Sequence, residues 1–269
     1  MDRTRPTREA MTPFELANGR PMPLAADWAL FLDVDGTLLD IAETPDAVEV
    51  SDHLRAVLGR VAPLLGGALA LISGRPIAQL DRLFAPLSLP AAGLHGLEHR
   101  DAAGRTRTLG EPEMLDGLRT ALLDFAAAHA GAMLEDKGRA LALHYRRAPE
   151  SEAAARELVA QVTAGREREL RVVDGKMVLE IKPRLADKGA AVELFMAEAP
   201  FAGRRPVFIG DDVTDEDAFT VVNRLGGHSI RVGELAGTSA RYSLPDVEAV
   251  VDWLEAMPGA LGESPEPGP

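Results

Sequence analysis

Leu30-Phe31-Leu32-Asp33-Val34-Asp35-Gly36-Thr37-Leu38-Leu39 is the stretch on which the fold turns. The apolar run Ala29–Leu32 ends in two aspartates one residue apart, followed by Gly36 and Thr37. A short apolar run closed by a glycine turn reads as a strand buried on both faces, as in parallel sheets. Asp33 and Asp35 then stand at its carboxyl end, where open α/β sheets place their ligands. Two carboxylates this close repel each other and resist desolvation. A divalent cation between them would account for the pair, and so would a nucleophilic role for one of them.

The same texture continues outward. Upstream, residues 1–26 are polar and punctuated by proline, a flexible arm with at most a short helix near Phe14–Ala17. Downstream, Val50, Leu54, Val57, Leu58 and Val61 recur at helical spacing within Asp46–Leu65, with Ser51 or Asp52 as cap. Ala68–Ile72 is a second strand and ends in Ser73-Gly74-Arg75-Pro76. A helix over Ile77–Phe84 and a strand over Ala91–Leu94 lead to His95-Gly96-Leu97-Glu98. After Pro183 the pattern resumes with a helix over Lys188–Glu198, a strand over Pro206–Ile209, a helix over Asp215–Val222, a strand over Ser229–Val232 and a helix over Val247–Met257.

Between these halves the order changes to helix, two strands, helix, two strands. The strands Met133–Asp136 and Leu141–Tyr145 flank Lys137-Gly138-Arg139, and Leu170–Val173 and Met177–Ile181 flank the hairpin signal Asp174-Gly175. The expected architecture is α/β: a Rossmann-like core with a parallel sheet, formed by 27–108 and 183–257. An α+β unit of order αββαββ is inserted at 109–182, and a disordered tail follows at 258–269.

With 46% apolar and 26% charged residues over 269 positions, the chain has ample material for a core. A formal net charge of −13 argues against nucleic acid or an anionic membrane as partner, so an anionic substrate must be drawn in by local cations. The absence of cysteine excludes disulfides and thiol catalysis, and fits a cytoplasmic location. No apolar stretch approaches the roughly 18 residues of a membrane helix. The arginines at Arg3, Arg5 and Arg8 lack the apolar segment of a secretory signal.

The core strand ends collect Asp33, Asp35, Ser73 and Arg75, then Lys188 at a helix start, then Gly210-Asp211-Asp212-Val213-Thr214-Asp215-Glu216-Asp217. Taken alone, that last run reads equally as a solvated acidic loop, with Thr214 and Asp217 as a capping box. A lysine at a helix start opposes the macrodipole, which favours a functional role for Lys188. Taken in order, these motifs resemble the haloacid dehalogenase (HAD) superfamily of aspartate-based phosphotransferases. The resemblance implies that Asp33 is a nucleophile forming an aspartyl phosphate and Asp35 the general acid and base. Ser73 and Lys188 would hold phosphoryl oxygens. Mg²⁺ would be bound by Asp33, the Asp35 carbonyl and Asp211, with Asp212 and Asp215 orienting waters or Lys188.

Further stretches narrow it: Gly93-Leu94-His95-Gly96-Leu97-Glu98, Glu135-Asp136-Lys137-Gly138, Leu143-His144-Tyr145-Arg146 and Gly175-Lys176-Met177-Val178-Leu179-Glu180-Ile181-Lys182-Pro183. With Ser73-Gly74-Arg75-Pro76 and the Gly210 run, they are similar to the trehalose-6-phosphate phosphatases over about residues 28–255. This implies hydrolysis of trehalose 6-phosphate, the last step of trehalose synthesis, and a functional link to a trehalose-phosphate synthase. The inserted unit would be a mobile cap hinged near 107–111 and 181–184. Arg75, His95, Gly96, Glu98, Glu135, Lys137, Arg146, Lys176 and Glu180 would bind substrate. Charged groups suit this, since they make the stronger hydrogen bonds to sugar hydroxyls. Bland readings stand beside it: Glu135 and Lys137 as a surface cross-strand pair, Lys176 as a solvated turn cation, His144 as structural. Other readings of the whole are a phosphatase for sucrose phosphate or glucosylglycerate phosphate, a phosphomutase, and a non-catalytic sugar-phosphate binder. The last has no use for Asp35.

Overall fold

The structure is a computed structural model that describes residues 25–41, 48–109, 112–184, 186–234 and 236–260. The expected N-terminal arm, up to residue 24, and the last part of the tail lie outside the described residues.

The strand expected from the opening stretch is β1 (Trp28–Leu32), and all five of its residues are buried. Alternation along the strand sends Trp28, Leu30 and Leu32 into one apolar cluster and Ala29 and Phe31 into another. A strand apolar at every position is what burial on both faces requires. The core sheet is completed by β2 (Leu69–Ile72), β3 (Ala91–Gly93), β4 (Glu98–Arg100), β5 (Thr106–Thr108), β10 (Arg205–Gly210), β11 (His228–Val232) and β12 (Tyr242–Leu244). Its order is β12-β11-β10-β1-β2-β3-β4-β5. The neighbours from β12 to β3 pair in parallel, and β4 and β5 are antiparallel additions at one edge. Three-residue strands such as β4, β5 and β12 are too short to show a period in the sequence.

On one face of this sheet pack α1 (Asp52–Leu64), α2 (Ile77–Phe84) and α7 (Val247–Ala260), through Leu54, Val57, Leu58, Leu80, Phe84, Trp253 and Leu254. On the other pack α5 (Lys188–Met196) and α6 (Glu216–Arg224), through Val192, Phe195, Phe219 and Val222. Ser51 is the α1 cap, its hydroxyl accepting from the Leu54 amide at 3.1 Å. The acidic run after β10 is also capped, by Asp212 and Asp215 instead of the anticipated Thr214 and Asp217. The first pair lies at the turn itself, where the free amides are. The closing helix runs to Ala260, past the expected end at Met257.

Between β5 and α5 the chain builds α3 (Asp116–Ala128), β6 (Met133–Asp136), β7 (Leu141–His144), α4 (Glu152–Thr163), β8 (Leu170–Gly175) and β9 (Val178–Pro183). The strands form a separate antiparallel sheet of order β6-β7-β9-β8. One face of it, with Leu141, Leu143, Leu179 and Ile181, packs with Leu118, Leu122, Phe125, Ala155 and Val159 of the helices into an apolar cluster of its own. Period-two alternation therefore leaves Glu135, Ala142, His144, Val178, Glu180 and Lys182 on the opposite face.

Candidate active site

The carboxyl ends of β1, β2 and β10 meet at one place on the core. Asp33 follows β1 and is buried, and its amide is anchored to the Ile209 carbonyl of β10 at 3.0 Å. The Lys188 ammonium, at the first residue of α5 and 2% exposed, lies 2.7 Å from Asp33 Oδ1 and 2.6 Å from Asp215 Oδ1. Asp215 is fully buried and also accepts from the Asp212 amide at 2.8 Å, so its position is fixed from two sides. Burial opposes the charge on Lys188, but the carboxylates of Asp215 and Asp33 outweigh it and push the ammonium above its usual range.

Asp35 accepts two hydrogen bonds from Arg75, at 2.7 Å from Nε and 2.6 Å from Nη2. This fork is the planar match of guanidinium to carboxylate. The Arg75 amide donates to the Ser73 hydroxyl at 3.2 Å, and Ser73 is fully buried at the end of β2. Gly36 has a φ of +83°, and a methyl group there would collide with the Asp211 carboxylate. The glycine therefore serves both the turn after Asp35 and the close approach of Asp211.

The polar face of the inserted sheet closes over these residues. Glu180 of β9 bonds His95 Nε2 of the core at 3.1 Å, and Lys137 lies 3.5 Å from the same carboxylate oxygen. Lys137 also donates to the Gly74 carbonyl of the core at 3.2 Å. His95 sits in the left-handed region at φ 55°, and a Cβ on Gly74 would come within 2.6 Å of its Nε2. Burial pushes the His95 imidazolium down to about 4, against the pull of Glu180, so the neutral ring donates from Nε2. Burial likewise works against the charge on Glu180, but Lys137 and His95 outweigh it and hold the carboxyl well below its usual range. Glu135 accepts from His144 at 2.8 Å; burial opposes its charge too, and the neighbours His144 and Lys137 prevail, so its carboxyl also lies below the usual range.

Together these groups line a cavity of about 220 Å³. It joins Asp33, Asp35, Ser73, Arg75, His95, Lys188, Asp211 and Asp212 of the core to Glu135, Lys137, Arg146, Lys176 and Glu180 of the inserted unit. Gly96 and Glu98 stand apart. Glu98 turns away and accepts from the Ile77 amide at 2.6 Å, capping α2. Asp215 lies behind Lys188. His144, expected to be structural, bonds Glu135 and also lines the cavity, and Lys182 is 2% exposed on the same face as Glu180. The sign of both was in the strand register: each is two residues from a strand position that faces the core.

Among the described residues, Asp33, Asp211 and Asp215 offer oxygens within 4.8 Å of one another, a set able to hold a metal ion. Asp211 Oδ1 is buried without a hydrogen-bond partner. Burial pushes the Asp33 carboxyl well above its usual range, with the carboxylates of Asp215 and Asp211 adding to the shift and Lys188 working against it. An oxygen-only donor set with an orphaned carboxylate oxygen fits a hard divalent cation.

A family model described as trehalose-phosphatase matches residues 31–248. A probable trehalose-phosphate phosphatase of Sinorhizobium fredii is 48% identical over 232 residues, 86% of this chain and 88% of that protein. The trehalose-6-phosphate phosphatase of Escherichia coli is 46% identical over 244 residues, 90% of this chain and 91% of that protein. The fold is that of the solved C-terminal domain of Candida albicans trehalose-6-phosphate phosphatase, with a TM-score of 0.77 at 22% identity, over 86% of this chain and 92% of that one. No described helix is long and apolar enough to cross a membrane. With its matched segment running from within β1 into α7, the chain belongs to the trehalose-phosphatase family.

Proposed function

We propose that the protein hydrolyses trehalose 6-phosphate to trehalose and phosphate through an aspartyl phosphate on Asp33. The observation that carries this reading is the Asp33–Lys188 pair at 2.7 Å, facing a cavity whose other wall is the polar face of the inserted sheet. An Asp33 oxygen attacks phosphorus as the bond from phosphorus to the sugar oxygen breaks, and Asp35 gives that oxygen a proton. Asp35 then takes a proton from water as the water attacks phosphorus and frees Asp33.

To act this way Asp35 has to release part of its Arg75 fork. An incoming phosphoryl group is the anion that can take Arg75 in exchange. Lys188, fixed by Asp215, stays charged beside the transferring group and offsets its negative charge. Mg²⁺, held by Asp33, the Asp35 carbonyl and Asp211, would supply Lewis-acid charge between the nucleophile and the anionic substrate. The inserted unit acts as a cap, with Glu135, Lys137, Arg146, Lys176 and Glu180 recognising sugar hydroxyls. A trehalose-phosphate synthase in the same cytoplasm supplies the substrate.

The test is phosphate release from a panel of trehalose 6-phosphate, sucrose phosphate and glucosylglycerate phosphate, with Mg²⁺ or with EDTA. The highest kcat/KM is expected on trehalose 6-phosphate with Mg²⁺, and none from Asp33→Asn. Turnover by Asp33→Asn would sink the covalent route. A higher kcat/KM on another sugar phosphate would replace the substrate.

A further inference from the structure

Three of the acids that follow β1 and β10 each lie against a protein cation. Asp33 has Lys188 at 2.7 Å, Asp35 has Arg75 at 2.6 Å, and Asp211 has Lys176 at 3.0 Å. The first two cations belong to the core and their side chains are 2% and 7% exposed. The third differs on both counts. Lys176 comes from the inserted unit, at the tip of the β8–β9 hairpin, and its side chain is 58% exposed, whereas that of Asp211 is 7% exposed.

The tip is fixed to its own sheet. Arg146 donates to the Lys176 carbonyl at 3.2 Å, and the Tyr145 amide donates to the Met177 carbonyl at 3.1 Å. An ammonium on Asp211 is therefore also a tie between the inserted sheet and the core. Breaking it requires only the rotation of an exposed side chain. Asp211 spends one oxygen on Lys176 and leaves the other buried and unpartnered, which is the half-used state of a carboxylate that has a stand-in for its cation.

We propose that Lys176 is a tethered counter-ion for Asp211: a divalent cation arriving at Asp33 and Asp211 displaces it and so frees the hairpin tip from the core. The inference rests on the metal site given above. A lysine ammonium and a divalent ion repel each other strongly at one carboxylate shielded from water. The ammonium thus lowers the apparent metal affinity of the free protein. Once released, Lys176 is a mobile cation at the mouth of the cavity, where the only newly arriving anion is the phosphoryl group. Metal and sugar phosphate then favour each other's binding, and by linkage the coupling is the same in both directions.

The experiment is calorimetric titration of the full-length protein with Mg²⁺, without substrate and at low salt, for wild type, Lys176→Met, Lys176→Arg and Asp211→Asn. Lys176→Met is expected to bind Mg²⁺ about fivefold more tightly than wild type, a ratio equivalent to about 1 kcal/mol. Lys176→Arg should stay near wild type, and added KCl should narrow the difference, because the pair is partly exposed. The same Lys176→Met change should raise KM for the sugar phosphate, the opposite direction. Misfolding could only weaken metal binding, so tighter binding cannot come from damage. Equal or weaker Mg²⁺ binding by Lys176→Met would overturn the proposal and leave the metal site standing. Undiminished Mg²⁺ binding by Asp211→Asn, or no binding by wild type, would overturn the metal site and the proposal together.

Discussion

Lys188 and Asp215 are both almost wholly out of water, and each is the other's compensation. Removing one member of a buried pair leaves an uncompensated charge, at a cost of about 3–5 kcal/mol. Asp215→Asn is expected near the low end, about 3 kcal/mol in urea denaturation, because Asp33 still faces the ammonium; kcat should fall with it. Lys182 offers a second measurement. Burial pushes its ammonium down to about 8, although Glu180 pulls the other way. Between pH 8 and its ordinary value near 10.5 the unfolded chain holds this proton more firmly than the folded one. Stability from this group should therefore rise with pH across that window, by at most about 1.4 kcal/mol per pH unit, and Lys182→Met should flatten the rise. The two residues differ in how far the sequence announces them. Lys188 stands at a helix start where a cation is out of place, so its oddity is local. Lys182 looks like any charge alternating along a strand, and only the register of β9 against β7 and β8 shows that its face is covered.

At the scale of elements, α2 begins at Ile77 after Pro76, which has no side-chain oxygen to cap the helix. The cap comes from across the sheet, where Glu98 at the start of β4 accepts from the Ile77 amide. Its negative charge also suits a helix amino terminus. Glu98→Ala should cost about 1 kcal/mol in urea denaturation and leave KM for sugar phosphate near wild type. A large rise in KM with unchanged stability would restore the substrate-binding role that the sequence suggested. The long elements were legible for plain reasons. β1 is apolar throughout because both its faces are covered, and α1 shows its stripe at Leu54, Val57, Leu58 and Val61. The β4–β5 edge was not, since Thr106–Thr108 is exposed on every residue and has no pattern to detect. A cap supplied in trans leaves no local signature either.

For the whole molecule, the cavity of about 220 Å³ is smaller than the roughly 300–1,000 Å³ of pockets that bury drug-sized ligands. Its walls are tied by His95–Glu180, Lys137–Gly74, Lys176–Asp211 and Arg171–Asp217, all joining the inserted unit to the core. The proposed substrate, a disaccharide phosphate, can enter only when some of these part, so the free protein should exchange with a wider form and close on its ligand. Small-angle scattering with trehalose and vanadate should give a smaller radius of gyration than the free protein. Superimposable profiles would count against the hinge. What the sequence carried at this scale was the interruption of one α/β pattern by another; the ties themselves were out of reach, because each joins residues far apart in the chain.

The pairing of β1 with β10, Trp28 beside Arg205, has a consequence for how the protein is made. As the chain leaves the ribosome, β1 gains β2 early on one side, but its other edge must wait until everything through β10 has emerged. The inserted sheet needs no such partner, because β6 to β9 and their two helices close an apolar cluster of their own. It can be finished while β1 is still open, since domains fold as units during synthesis. Asp33 therefore gets its neighbours Lys188 and Asp211 only after the inserted sheet is complete.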